Sequence, residues 1–158
     1  MNTIIIKDTI QINLPRQKLF ELFFTLDLRD VMKGYAFLPS VVGVRDQTGK
    51  WNIPGSARIT MLSDGSTTFE EVTACEEPRL FSYRIRNFTN LFRHFVKEAR
   101  GEWIFTEGNS ASATSVKWAY TFSAKNLLAM VFLLPILKVF LKGYMRRTLN
   151  IIKEFAEK

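Results

Sequence analysis

Two glutamates stand side by side at positions 70 and 71, inside the run TTFEEVTACE. In an extended chain consecutive side chains point to opposite faces, so one carboxylate faces inward and the other outward. An inward carboxyl, poorly solvated, has a raised pKa. A cyclase of the aldol type would use such a group to take a proton beside a carbonyl. We take Glu71 as the inward member. The alternative is that the inward glutamate pairs with Arg84 or Arg86 on a neighbouring strand. Tyr83, Tyr120 and Tyr144 either offer hydroxyls to a ligand carbonyl or sit in the core with their oxygens satisfied. His94, the only histidine, lies on the parity opposite Phe95 in LFRHFVKE and reads as a surface or structural residue. Cys75 neighbours Glu76 and Glu77, whose charge disfavours a thiolate nucleophile. One His and one Cys do not make the usual N/S metal set, and no carboxylate cluster has ligand spacing. No metal and no cofactor is expected. The sequence has no G-x-S-x-G, P-loop or G-x-G-x-x-G. Whether the chain is an enzyme stays open.

The aromatic residues form the stronger pattern. The chain has 14 Phe, 4 Tyr and 3 Trp, more than an ordinary core needs. Phe81, Tyr83 and Ile85 alternate with Ser82, Arg84 and Arg86; Trp103 and Phe105 share a parity, as do Val116, Trp118, Tyr120 and Phe122. One face of a sheet is therefore aromatic and the other polar. The expected ligand-lining set is Trp51, Glu71, Tyr83, Trp103, Phe105, Trp118, Tyr120, Phe140 and Tyr144. The competing expectation is a solid core with no cavity. Nucleic acid is excluded as a partner, because alternation puts the arginines of YRIRNF and NLFRHF on the face away from the aromatics.

The elements that must position these residues follow from periodicity and punctuation. Ile4, Ile6, Ile10, Ile12 and Leu14 share one parity, which predicts a half-buried strand over residues 3–14 with Asp8 at a bulge or the sheet rim. Pro15 ends it and opens a helix carrying Leu19, Phe20 and Phe23. DLRDVMKG predicts a second short helix, capped by Asp27 and stopped at Gly34. Residues 40–124 read as hairpin-linked strands, and SDGS at 63–66 predicts a two-residue turn with positive φ angles.

The stretch FLLPILKVFL, residues 132–141, falls short of the roughly 20 apolar residues of a spanning helix, and Lys138 interrupts it. An amphipathic helix is expected instead, with Leu133, Leu137, Phe140, Tyr144, Thr148, Ile151 and Phe155 on one side. Pro135 must kink this helix or begin it. The segment LLAMVFLL at 127–134 is apolar all round and needs cover from the core, a partner subunit or lipid. The net charge is +7, and from Lys125 onward seven basic residues stand against two acidic ones. The row Lys138, Lys142, Arg146 suggests contact with an anionic membrane surface. Three consecutive isoleucines before Lys7 are too few for a signal peptide, and a lone cysteine suits a reducing compartment, so a cytoplasmic location is expected.

Several short motifs, in order, carry a resemblance. IQINLPRQKLF has Ile10, Ile12, Pro15, Leu19 and Phe20 in the pattern I-x-I-x-x-P-x-x-x-L-F. WNIPGSAR has Trp51, Pro54, Gly55 and Arg58 in W-x-x-P-G-x-x-R. EEVTACEEPRLFSY has Glu70, Val72, Pro78 and Tyr83, and GEWIF followed by TSVKWAYTF completes the series. The chain resembles the START-like, Bet v 1-like (SRPBCC) superfamily, in particular its polyketide cyclase/dehydrase-like branch. That resemblance implies an α+β helix-grip fold in one domain, 1–158. A curved, seven-stranded antiparallel sheet would wrap a long C-terminal helix, with two short helices after strand 1. It implies a cavity between sheet and helix, but no single activity. Three functions follow as expectations. The first is binding of a hydrophobic small molecule, lipid-like or polycyclic. The second is a cyclase or dehydratase acting on a polyketide-like substrate. The third is an interaction or homodimer module using 127–134.

Overall fold

The alternating isoleucines of Thr3–Ile12 are buried at one parity and form β1. Asp8 keeps regular register with Trp118, so it marks no bulge; it faces inward and forms an ion pair with Arg146. A computed structural model describes residues 2–158. After β1 come α1 (Arg16–Phe23) and α2 (Leu28–Val31). Asp27 caps α2 by accepting from the Arg29 N–H, and Gly34 beyond it takes a positive φ of 82°. Six strands follow: β2 (Val41–Arg45), β3 (Ala57–Leu62), β4 (Thr67–Glu76), β5 (Leu80–Arg86), β6 (Val96–Glu107) and β7 (Thr114–Ala124). A 3₁₀ turn, Leu91–His94, leads into β6.

The strands pair antiparallel in the order β1-β7-β6-β5-β4-β3-β2. Register shifts at Val41/Gly43, Val72/Ala74 and Val96/Glu98 insert extra residues, and such bulges bend a sheet. The concave face that results carries the aromatic parity. The β3–β4 connection differs from the expected two-residue turn. Leu62 donates to the Ser66 carbonyl and accepts from the Gly65 N–H, enclosing three residues. Only Gly65 has positive φ there, as in a type I turn closed by a left-handed glycine.

The C-terminal helix fills the concavity and shows the main departure from expectation. Pro135 neither begins nor ends it. The helix runs on from α3 (Leu127–Ile136) through a π-helical segment, Leu137–Leu141, into α4 (Lys142–Ala156). The Lys142 N–H reaches back five residues to the Leu137 carbonyl. Buried residues recur at Ala129, Leu133, Leu137, Leu141, Met145 and Leu149, a spacing of four. A regular turn holds 3.6 residues, so this spacing drifts by about 40° per step. The wider π segment absorbs part of that drift. The buried face of α4 is consequently Met145, Leu149, Ile152 and Ala156, with the expected Thr148; of the other expected residues, Phe140 and Ile151 are only partly buried and Phe155 is exposed. The basic row is also altered: Arg146 is held by Asp8 and the Thr9 carbonyl, which leaves Lys138 and Lys142 exposed.

Candidate functional site: a cavity with one aromatic and one polar wall

Between the sheet and the C-terminal helix lies a cavity of about 580 Å³, within the range of small-molecule sites. Its aromatic wall comes from β5, β6, β7 and the helix. Trp103 faces the space and stacks on Trp118 behind it, with ring centroids 4.3 Å apart and planes 17° from parallel. The Tyr83 hydroxyl donates to the Tyr120 hydroxyl at 3.0 Å. Gly101 lies in register with both tyrosines. A Cβ at Gly101 would fall 2.3 Å from the Tyr83 ring, so glycine makes room for that ring. Tyr144 lines the same space from α4.

The opposite wall is polar and comes from β3 and β4. Arg58 is in register with Glu70, and Thr60 with Thr68; all four are buried and line the cavity. Arg58 donates from Nε and Nη2 to the same Glu70 oxygen, Oε1, each at 3.3 Å. The Trp51 ring covers the guanidinium, 3.6 Å from its centroid. The buried Thr60 hydroxyl has no hydrogen-bond partner among the described residues.

Of the expected lining residues, Trp51, Tyr83, Trp103, Tyr120 and Tyr144 meet at the cavity. Phe105 and Trp118 are buried outside the lining, as core. Phe140 lies outside the lining too; it is partly buried against the core and packs on the exposed Phe37 at 4.8 Å. Glu71 needs correction. Burial on β4 falls on Thr68, Glu70 and Val72, so Glu70 faces inward and Glu71 pairs on the other face with Arg84 at 2.7 Å. The sequence reading missed Arg58, Thr60, Thr68 and the inward Glu70 as lining residues. The period-two pattern in RITM and TTFEE held the signal, because Arg58 and Thr60 share one side of their strand and Thr68 and Glu70 share one side of theirs. His94 is exposed and accepts from Arg93. Burial, and then the charge of Glu77, push the Cys75 thiol up. No group of His, Cys, Asp or Glu suited to a metal ion is found among the described residues.

Burial, then the charge of Glu70, push the Tyr83 phenol up to about 12. Burial first, and then the neighbouring Tyr83, raise Tyr120; burial, with Tyr83 and Glu70, raises Tyr144. An unfolded chain ionises its tyrosines near pH 10. The contribution of Tyr83 to stability is therefore full below pH 10 and is lost as the pH rises through about 12, and that of Tyr120 and Tyr144 is lost at still higher pH. Thermal melts in this window are expected to show a steadily falling midpoint. In the folded chain Tyr83 should give tyrosinate absorbance only near pH 12, well after an exposed tyrosine, with Tyr120 and Tyr144 later still unless the chain unfolds. A flat midpoint would contradict the burial of these hydroxyls.

A curved antiparallel sheet gripping a long helix over an aromatic cavity defines a protein of the Bet v 1-like, helix-grip class. Residues 3–157 match the model of the family described as polyketide cyclase / dehydrase and lipid transport, and the chain belongs to that family. Solved structures agree on the fold. Ginseng major latex-like protein 151 from Panax ginseng aligns over 100% of both chains with a TM-score of 0.70 and 14% identity. Norcoclaurine synthase from Thalictrum flavum, in complex with dopamine and hydroxybenzaldehyde, aligns over 97% of this chain and 86% of its own, with a TM-score of 0.69 and 10% identity. The di-domain ARO/CYC BexL from the BE-7585A biosynthetic pathway aligns over 99% of this chain but 50% of its own, with a TM-score of 0.68 and 20% identity. No curated protein matches the sequence.

Proposed function

We propose that the chain binds a hydrophobic small molecule, lipid-like or polycyclic, that carries an uncharged oxygenated end. The observation that supports this is the two-walled cavity of about 580 Å³. Its aromatic side suits stacked rings or an acyl chain. Its polar side offers Thr60 and Thr68 hydroxyls beside a buried pair, Arg58–Glu70, whose charges cancel. A ligand carboxylate beside this pair would be repelled by Glu70 and a ligand cation by Arg58, both buried, where screening is weaker than in bulk water. A hydroxyl or ketone meets neither penalty and gives Thr60 the partner it lacks. A second reading, cyclisation or dehydration of a polyketide-like substrate, rests on the carboxylate of Glu70 sharing one cavity with the paired Tyr83 and Tyr120 hydroxyls.

Native mass spectrometry of the purified full chain tests the proposal, together with titration of a neutral polarity-sensitive dye such as Nile red. The expected result is a co-purified or titratable neutral ligand that quenches tryptophan fluorescence, with Thr60→Val weakening its binding by about tenfold or less. Recovery of the ligand chemically altered would favour the second reading. No bound mass, and no dye binding at micromolar protein, would overturn both.

A further inference from the structure

Six large apolar side chains in the first half of the helix stand in solvent: Leu127, Leu128, Val131, Phe132, Leu134 and Val139, each between 36% and 68% exposed. They are exposed because α3 is apolar on every side, while only Ala129 and Leu133 of it are buried. The 3₁₀ turn before β6 extends the patch. Phe95 stacks on Phe132 at 6.1 Å, the Lys125 N–H donates to the Phe95 carbonyl, and Leu91 of the turn is exposed. Contiguous apolar surface of this kind marks a contact with a protein or a membrane.

The charge around the patch decides between them. Between Glu107 and Glu154 the chain has no Asp or Glu. Arg93, Lys125, Lys138 and Lys142 are exposed, and none forms an ion pair among the described residues. A two-fold dimer through this patch would press it against itself, since such an interface is self-complementary. The same cations would then be brought up against their own copies. An anionic lipid surface presents the complementary arrangement, with headgroups for the cations and acyl chains for the leucines and Phe132.

The geometry favours lying on a bilayer over crossing it. The helix Leu127–Ala156 has 30 residues and is long and apolar enough to span a bilayer. However, Leu133, Leu137, Leu141, Met145 and Leu149 are buried against the sheet and hold it there. The freely apolar part, α3, is about 15 Å long, half of a hydrocarbon core. Phe92, between exposed Leu91 and Arg93, also lines the cavity. The patch and the cavity thus share the 3₁₀ turn as a border.

We propose that α3 and the Leu91–His94 turn form a docking surface for anionic lipid bilayers, beside the cavity. Co-sedimentation of the full chain with phosphatidylcholine vesicles, with and without phosphatidylserine, tests this independently of any cavity ligand. Binding is expected only to the phosphatidylserine vesicles and should weaken as salt rises. The exposed pair L128D/F132D, checked for an unchanged melting midpoint, should lose about tenfold or more in partition. L128S/F132S replaces it if the aspartates disturb folding. I5D, at an exposed apolar site on β1 (61% exposed), should bind as the parent does. Failure to sediment at low salt overturns the proposal. So does vesicle binding that survives L128D/F132D, which would reduce it to attraction by net charge alone. A dimer in light scattering that the same pair dissociates would assign the patch to a second copy and also overturn it.

Discussion

Replacing Glu70 by alanine is expected to destabilise the fold by about 3–5 kcal/mol, because it leaves the Arg58 guanidinium buried without its counter-ion. The two side chains are only 10% and 12% exposed, so water replaces the lost partner only in part. The Trp51 ring over Arg58 offsets a small part of the loss, since a cation over an aromatic face contributes roughly 0.5–2 kcal/mol. Arg58→Ala should cost a similar amount by stranding the carboxylate. For a chain of this size the expected fall in melting midpoint is roughly 10 °C. The double variant R58M/E70L should regain most of the loss, because apolar residues of similar volume often replace a buried pair without penalty. Stability would then be restored, while the polar wall of the cavity would keep only Thr60 and Thr68. Urea unfolding of the four proteins closes the cycle. Additive single effects, with no recovery in the double variant, would show that Arg58 and Glu70 do not act as a pair.

The expected fold was legible because strand parity and turn residues constrain a sheet locally. Ile4 to Ile12, Phe81 to Ile85 and Val116 to Phe122 each face the side that their alternation predicts. The choice between Glu70 and Glu71 needed something more. Alternation says that adjacent side chains part, but only pairing with β3 reveals which one turns inward: Arg58 stands opposite Glu70 and Arg84 opposite Glu71. Both glutamates have an arginine partner, so charge pairing alone does not separate them. The four polar lining residues were hidden for a related reason. Arg58, Thr60, Thr68 and Glu70 read as a solvated face on each strand alone, and become a cavity wall only when the sheet curves over the helix. The exposed apolar surface of α3 and the cations that flank it in sequence were visible as composition, but the addition of Leu91 and Arg93 depends on a turn more than 30 residues earlier in the chain.

The phase of the last helix is where local pattern misled most, and a pair of substitutions measures it. Carried unbroken at 3.6 residues per turn, the face that begins at Leu133 and Leu137 would bring Ile151 and Phe155 onto the sheet. The π segment turns that face instead onto Leu149, fully buried, and leaves Phe155 37% exposed beside Lys158. Leu149→Asp is therefore expected to prevent folding. Removing a buried leucine side chain costs about 2–5 kcal/mol by itself. An unpaired carboxylate in the same place adds several more, and the sum consumes the whole stability of a typical domain. Phe155→Asp should cost about 1 kcal/mol or less, the loss of a half-exposed ring and its contact with Lys158. Circular dichroism and denaturant midpoints distinguish the two directly. A folded Leu149→Asp variant beside an unfolded Phe155→Asp variant would mean that no extra residue is taken up at Leu137–Leu141. The helix would then present Phe140 and Tyr144 to the sheet together, and the cavity that Tyr144 lines would have a different wall.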